Sequence, residues 1–142
     1  MNKNEFVLAL KNLGIDITEE KLNKLDKYYD LLIEWNNKIN LTRITDKEEV
    51  YLKHFYDSLT IYKMMNLNNN LSLCDIGSGA GFPGIVLKIV FPNLKITLLD
   101  SLGKRIDFLN VVGRRAAGAG GDAGTTGAWT GGCGGARCLH SH

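Results

Sequence analysis

Cysteine is scarce, at three residues in 142, and the odd number makes no disulfide framework, so a reducing, cytoplasmic setting is expected. Long apolar runs are missing too. No stretch approaches the roughly 20 apolar residues that span a bilayer, and Met1-Asn2-Lys3-Asn4-Glu5 opens no signal peptide, so no membrane association is expected. Charge of one sign is also lacking. Residues 1–112 set fourteen Lys and Arg against fourteen Asp and Glu, and the whole net charge of +2 falls after them, where Arg114, Arg115 and Arg137 face only Asp122. A neutral body gives no electrostatic footprint for nucleic acid by itself. The remaining composition, 44% hydrophobic and 23% charged, is that of an ordinary globular domain.

Glycine is concentrated where little else is. Ten of the sixteen glycines lie in residues 113–142, and the vocabulary there turns from Asn, Lys and Ile to Gly, Ala and Arg, from A/T-rich to G/C-rich codons. That switch predicts a segment foreign to the body and disordered, a Gly-rich tail excluded from the fold. Within it, Cys133, Cys138, His140 and His142 have a metal-like spacing, but nothing there would hold the ligands, and no metal site is expected.

Helical spacing governs residues 1–66. Phe6, Leu10 and Leu13 share a face, with Asn4 as cap and Gly14 as stop; Thr18 caps a longer helix with the seam Leu22, Leu25, Tyr29, Leu32, Asn36, Ile39. Thr45 and Glu48 form a capping box before Val50, His54, Phe55, Leu59 and Tyr62. The Asn-rich stretch 66–70 reads as a linker. The period then changes: a strand over 71–76, a glycine-rich turn over 77–84, an apolar helix from Ile85 to Phe91 with Pro83 near N1, a strand over 94–99 ending at Asp100, and a helix over 104–112. Cys74, inside the first strand, is expected as a buried small hydrophobe.

A strand, a glycine turn and a helix place backbone amides where a ligand approaches without Cβ collision. Asp100 follows Gly81 at the spacing of the acid that accepts a ribose hydroxyl pair. The frame Gly79-x-Gly81-x-x-Gly84 matches a dinucleotide turn but leaves Asp75, Gly77 and Ser78 unused, whereas Asp75-x-Gly77-x-Gly79-x-Gly81 uses them and resembles motif I of class I S-adenosylmethionine-dependent methyltransferases.

With the flanks included the resemblance narrows. Trp35-Asn36-x-x-x-Asn40-Leu41-Thr42, His54-x-x-Asp57-Ser58-Leu59, the run Asp75 to Gly84, and Leu99-Asp100-Ser101-Leu102-x-Lys104-Arg105 stand in the order seen in the bacterial 16S ribosomal RNA guanine-N7 methyltransferase family (RsmG/GidB). The chain resembles that family from about Asn4 to Asn110, covering the first half of a typical member.

The resemblance implies an α/β fold: a helical cap (1–66) on the first βαβα part (67–112) of a Rossmann-like class I methyltransferase domain, truncated before the remaining strands. It implies methyl transfer from S-adenosylmethionine to N7 of a guanine in 16S rRNA of the 30S subunit. Gly77, Gly79, Gly81 and Phe82 would contact the cofactor at the first loop, and Asp100, Ser101 and Leu102 would hold its adenosine end. No catalytic residue is identified, and a chain with only two strands is expected to have little activity alone.

Two other readings fit less of the sequence: an NAD-dependent oxidoreductase, and a non-enzymatic RNA- or ribosome-binding fragment. His54 and Asp57, at i and i+3, are expected as a hydrogen-bonded pair joining cap and α/β part. Lys38, Arg43, Lys47, Lys53, Lys104 and Arg105 are expected as solvated charges.

Overall fold

A computed structural model describes residues 1–67, 71–77 and 79–117, with the backbone of Asp122–Gly124 and Ala128–Gly131. Four helical stretches come first. Helix α1 (Lys3–Asn12) is capped by Asn2, whose side chain accepts from Glu5 N while Glu5 returns the bond to Asn2 N. This reciprocal box satisfies two terminal donors, so the helix starts there and not at the expected Asn4.

Thr18 caps α2 (Glu19–Asn36) as expected. The buried face is Leu22, Leu25, Tyr28, Leu31 and Leu32; Tyr28 replaces Tyr29, which sits at the rim with its hydroxyl on Thr45 O. The seam stops early because α2 ends at Asn36, whose Oδ1 accepts from Leu41 N and Thr42 N and folds the next loop back on itself.

Asp46, not Thr45, caps α3 (Lys47–Val50) by accepting from Glu49 N. The helix continues as a π turn (Tyr51–Tyr56), then α4 (Asp57–Leu59), then a 3₁₀ turn (Thr60–Lys63). Most of the expected Asn-rich linker, residues 68–70, lies outside the described residues, while Leu67 is fully buried.

Strand β1 (Ser72–Ile76) and strand β2 (Lys95–Leu99) pair in parallel, Leu73 opposite Ile96 and Asp75 opposite Leu98. Parallel neighbours need a crossover, and α5 (Gly84–Val90) supplies it, with Pro83 as its cap residue and not inside it. Every residue of α5 is buried, because the sheet lies under it and α2 and α4 lie over it. A helix apolar all round requires that sandwich. Lys88, the one charge in α5, is buried with its ammonium on Pro92 O (2.7 Å) and Leu94 O (2.6 Å). Lys21 of α2 reaches Val90 O at 2.8 Å and ties the cap to the end of α5.

Helix α6 (Gly103–Arg115) runs three residues past the expected boundary at 112, and Ala116 and Ala117 are buried after it. Beyond it, β3 (Asp122–Gly124) and β4 (Ala128–Gly131) complete the sheet in the order β1-β2-β4-β3, with β4 antiparallel to β2. The expectation of a wholly unordered tail is therefore corrected for these two strands. Strand β2 has a second edge to offer, and pairing there satisfies backbone groups that would otherwise face water. Cys133, Cys138, His140 and His142 lie outside the described residues. Cys74 is half-buried and disulfide-bonded, not the buried free thiol expected. Among the described residues no helix is long and apolar enough to cross a membrane.

One core cluster includes residues from the cap (Phe6, Tyr28, Phe55), from α5 and β2, and from α6 (Phe108, Leu109, Val112). Two glycines calibrate how tightly it fits. A Cβ on Gly84 would stand 2.2 Å from Leu98 Cδ2 and 3.2 Å from Asp75 Oδ2, whereas one on Gly103 meets nothing within 4 Å. Gly84→Ala is expected to cost about 1–3 kcal/mol by overpacking, and Gly103→Ala to gain up to about 1 kcal/mol; urea midpoints of the two variants check both signs.

Candidate functional site

The glycine turn leaves the end of β1 and is held beside the end of β2 by Gly77 N on Leu99 O at 2.7 Å. Gly77, Gly79 and Gly81 all have left-handed backbone, φ +74°, +57° and +94°, a region that L side chains enter only with strain. Their surroundings differ. A Cβ at Gly77 or Gly79 would meet nothing within 4 Å, so the turn presents bare backbone to open space there. At Gly81 a Cβ would stand 2.6 Å from the Tyr28 hydroxyl and 2.8 Å from Ile85 Cγ1. Two of the three expected contact glycines thus border open space, and the third is needed for close approach of the protein to itself. Ser78 lies outside the described residues.

Asp100 stands directly after β2, and its side chain is 2% exposed. One carboxylate oxygen accepts from Gly79 N at 2.8 Å and the other from Leu102 N at 2.9 Å, with Arg105 Nη1 3.6 Å away. The acid and the glycine turn, twenty-one residues apart, are in direct contact. Two backbone amides and the Arg105 guanidinium thus share a carboxylate that is almost wholly buried. Ser101 is exposed, and Leu102 shows an exposed apolar side chain at the start of α6. Arg105 is thereby more than the solvated charge expected.

Asp75 faces α5, with Oδ2 accepting from Gly84 N at 3.1 Å. A carboxylate at a helix N-terminus satisfies an orphan donor. That explains the acid at the head of the motif as a clamp on the crossover helix.

Phe82 turns inward to the cap. Its ring lies on His54 (centroids 4.3 Å, planes 10° apart) and stacks on Tyr28 at 5.5 Å. Tyr28 is fully buried with its hydroxyl donating to Ala80 O, and burial, assisted by the Asp75 charge, holds its phenol pKa well above the ordinary value. Residue spacing put Tyr29 in the seam and did not single out Tyr28, whose hydroxyl supports the glycine turn from below.

His54 does not bond Asp57 as expected: its Nε2 meets Thr42 Oγ1 at 2.9 Å. The π turn and the Asn36-pinned loop bring Thr42 to the ring. Burial lowers the His54 pKa, opposed by the nearby Asp57 charge, so the imidazole is neutral at pH 7.

A parallel βαβ unit, a glycine turn open at its first two glycines and an acid at the end of the second strand are the opening part of a Rossmann-like class I methyltransferase fold. The chain belongs to the GidB family, described as rRNA small subunit methyltransferase G, which it matches over residues 21–118. A protein of Exiguobacterium sibiricum named ribosomal RNA small subunit methyltransferase G is 52% identical over 112 residues, 79% of this chain and 47% of that protein. One of the same name from Oceanobacillus iheyensis is 56% identical over 110 residues, 78% of this chain and 46% of its own length. A third, from Streptococcus thermophilus, is 52% identical over 111 residues, covering 78% and 47%. The chain spans about half the length of these relatives.

Asp100→Ala removes the acceptor of two backbone donors and is expected to cost about 1–3 kcal/mol. Amide exchange at Gly79 and Leu102 should accelerate well beyond that at Gly84, whose acceptor is Asp75; uniform acceleration would show that Asp100 does not hold the turn locally.

Proposed function

We propose that the chain carries the methyl-donor half of an S-adenosylmethionine-dependent methyltransferase that modifies N7 of a guanine in the 16S rRNA of the small ribosomal subunit. The contact between Asp100 and Gly79, under open space at Gly77 and Gly79, carries this reading. The residues suit the donor in kind. Bare turn backbone at Gly77 and Gly79 accommodates a close ligand, Asp100 stands at the end of β2 where the acid for a ribose diol is placed in such units, and exposed Leu102 suits the face of an adenine. Ser101, beside Leu102, contributes a hydroxyl at the same edge. Gly81 and Phe82 are assigned a supporting role here, shaping the turn against Tyr28 and His54.

S-adenosylmethionine supplies an electrophilic methyl on a sulfonium. Guanine N7 carries a lone pair and no proton, so its in-line attack needs no general base. What remains for the chain is proximity, orientation and exclusion of water. An rRNA substrate agrees with the names of the relatives, and the residues after 118, where the family match ends, are inferred to be unrelated in origin to the family part.

Millimolar S-adenosylhomocysteine is expected to raise the melting temperature of this chain by several degrees, following ligand linkage, while NADH leaves it unchanged. A shift with NADH alone would favour an oxidoreductase. In parallel, tritiated methyl from the donor should enter only guanine N7 when a full-length relative carrying this site acts on 30S subunits lacking the modification; label in any other base would refute the acceptor assignment.

A further inference from the structure

Beside the glycine turn, between it and the cap, lies a cleft of about 360 Å³, bordered by Lys53, His54, Asp57, Thr60, Phe82 and Pro83. That volume is at the small end of pockets that take small molecules, about 300–1,000 Å³. Phe82 and Pro83 follow Gly81 directly in sequence, so the cleft shares a wall with the turn proposed for the methyl donor.

Three features distinguish it from a passive crevice. First, its one planar face is fixed: the imidazole of His54 is stacked on Phe82, which is itself stacked on Tyr28, so the outer face of His54 is the one left for a ligand, held in place by Thr42 at Nε2. Second, the Asp57 carboxylate is exposed and accepts no hydrogen bond and makes no ion pair with any described residue. Because Thr42 takes the His54 bond, Asp57 is not consumed in the structural pair that its spacing suggested. Third, Lys53 is exposed, and its only ion pair among the described residues is with exposed Glu49 at 3.6 Å, an i, i+4 contact worth little and easily exchanged.

A planar imidazole face, an acceptor-only carboxylate and an exposed cation lining one cleft suit an aromatic heterocycle with two adjacent donors and an attached phosphate. Guanine has that edge: N1–H and the N2 amino group are parallel donors matched to a carboxylate, whereas adenine presents an acceptor at N1. We propose that this cleft is a guanine-binding site, in which Asp57 selects the base by its N1–N2 edge, the outer face of the His54 imidazole seats its ring, and Lys53 meets a flanking phosphate. Engaging that edge leaves N7, on the opposite side of the purine, without a protein partner. The inference deepens the proposed reaction and rests on it for the fate of the base; the binding itself can be tested without it.

The test uses the intact chain, ¹⁵N-labelled, titrated with the RNA pentamers UUGUU, UUIUU and UUAUU, where I is inosine. Shifts should centre on the amides of Lys53, His54, Asp57 and Ser58, with affinity falling in the order guanine, inosine, adenine and about tenfold or more separating the ends. Asp57→Asn should abolish that order while preserving the spectrum elsewhere. GMP run alongside separates the sources: tighter binding of the pentamer assigns the site to RNA, and equal affinity assigns it to a free guanine nucleotide. Equal affinities for guanine and adenine pentamers, shifts remote from the cleft, or an Asp57→Asn variant that keeps the guanine preference would overturn the proposal. S-adenosylhomocysteine, added separately, reports through Gly77 and Gly79. Failure of the donor site and failure of the guanine site are therefore read from different residues.

Discussion

A single buried carboxylate fixes the geometry on which the site depends. Asp100 stands where β2 ends, and by accepting from Gly79 N and Leu102 N it joins the turn after β1 to the start of α6. Hydrogen bonds to an ionised acceptor are the stronger kind, and here both donors are backbone amides that a loop would otherwise leave to water. With Gly77 N on Leu99 O as a second anchor, the turn cannot drift from the strand ends. Parallel pairing of β1 and β2 puts these ends side by side, which is the place where open α/β sheets bind ligands.

The helical cap supports that turn from the opposite side. Tyr28 fills the space that a side chain at Gly81 would need and gives its hydroxyl to Ala80 O. Phe82 continues the contact to His54, and His54 continues it to Thr42 and the loop pinned by Asn36. Buried polar groups of this kind are costly unless satisfied, and each of these is. The cap is therefore part of the machinery that shapes the turn, and the two regions share one apolar core.

Much of this was legible in residue spacing. The periods of 3.6 and 2 locate α1, α2, both body strands and the crossover helix, and the spacing from glycine to acid anticipates the Asp100 contact. Helix starts were displaced by one or two positions, to Asn2 and Asp46, because neighbouring residues compete to cap and the local sequence offers several candidates. The inward tyrosine was exchanged, Tyr28 for Tyr29, because adjacent apolar residues on a wide face differ by only about 100° of rotation. The different duties of Gly77, Gly79 and Gly81 were not readable at all: all three need positive φ, and only the tertiary neighbours separate open space from a tyrosine hydroxyl. The same holds for His54, whose partner arrives from a loop twelve residues earlier. The strands within residues 113–142 were hidden by a composition that suggests no core.

In the proposed site the Gly77–Gly79 backbone and the Asp100–Leu102 edge together grip an adenosine bearing sulfur. Isotope-filtered nuclear Overhauser spectra of the labelled chain with unlabelled S-adenosylhomocysteine test it most directly. The account predicts cross-peaks from the ribose protons to the Gly79 amide and from adenine H2 or H8 to the Leu102 methyls. Cross-peaks confined to other surfaces, or none at saturating ligand, would contradict it.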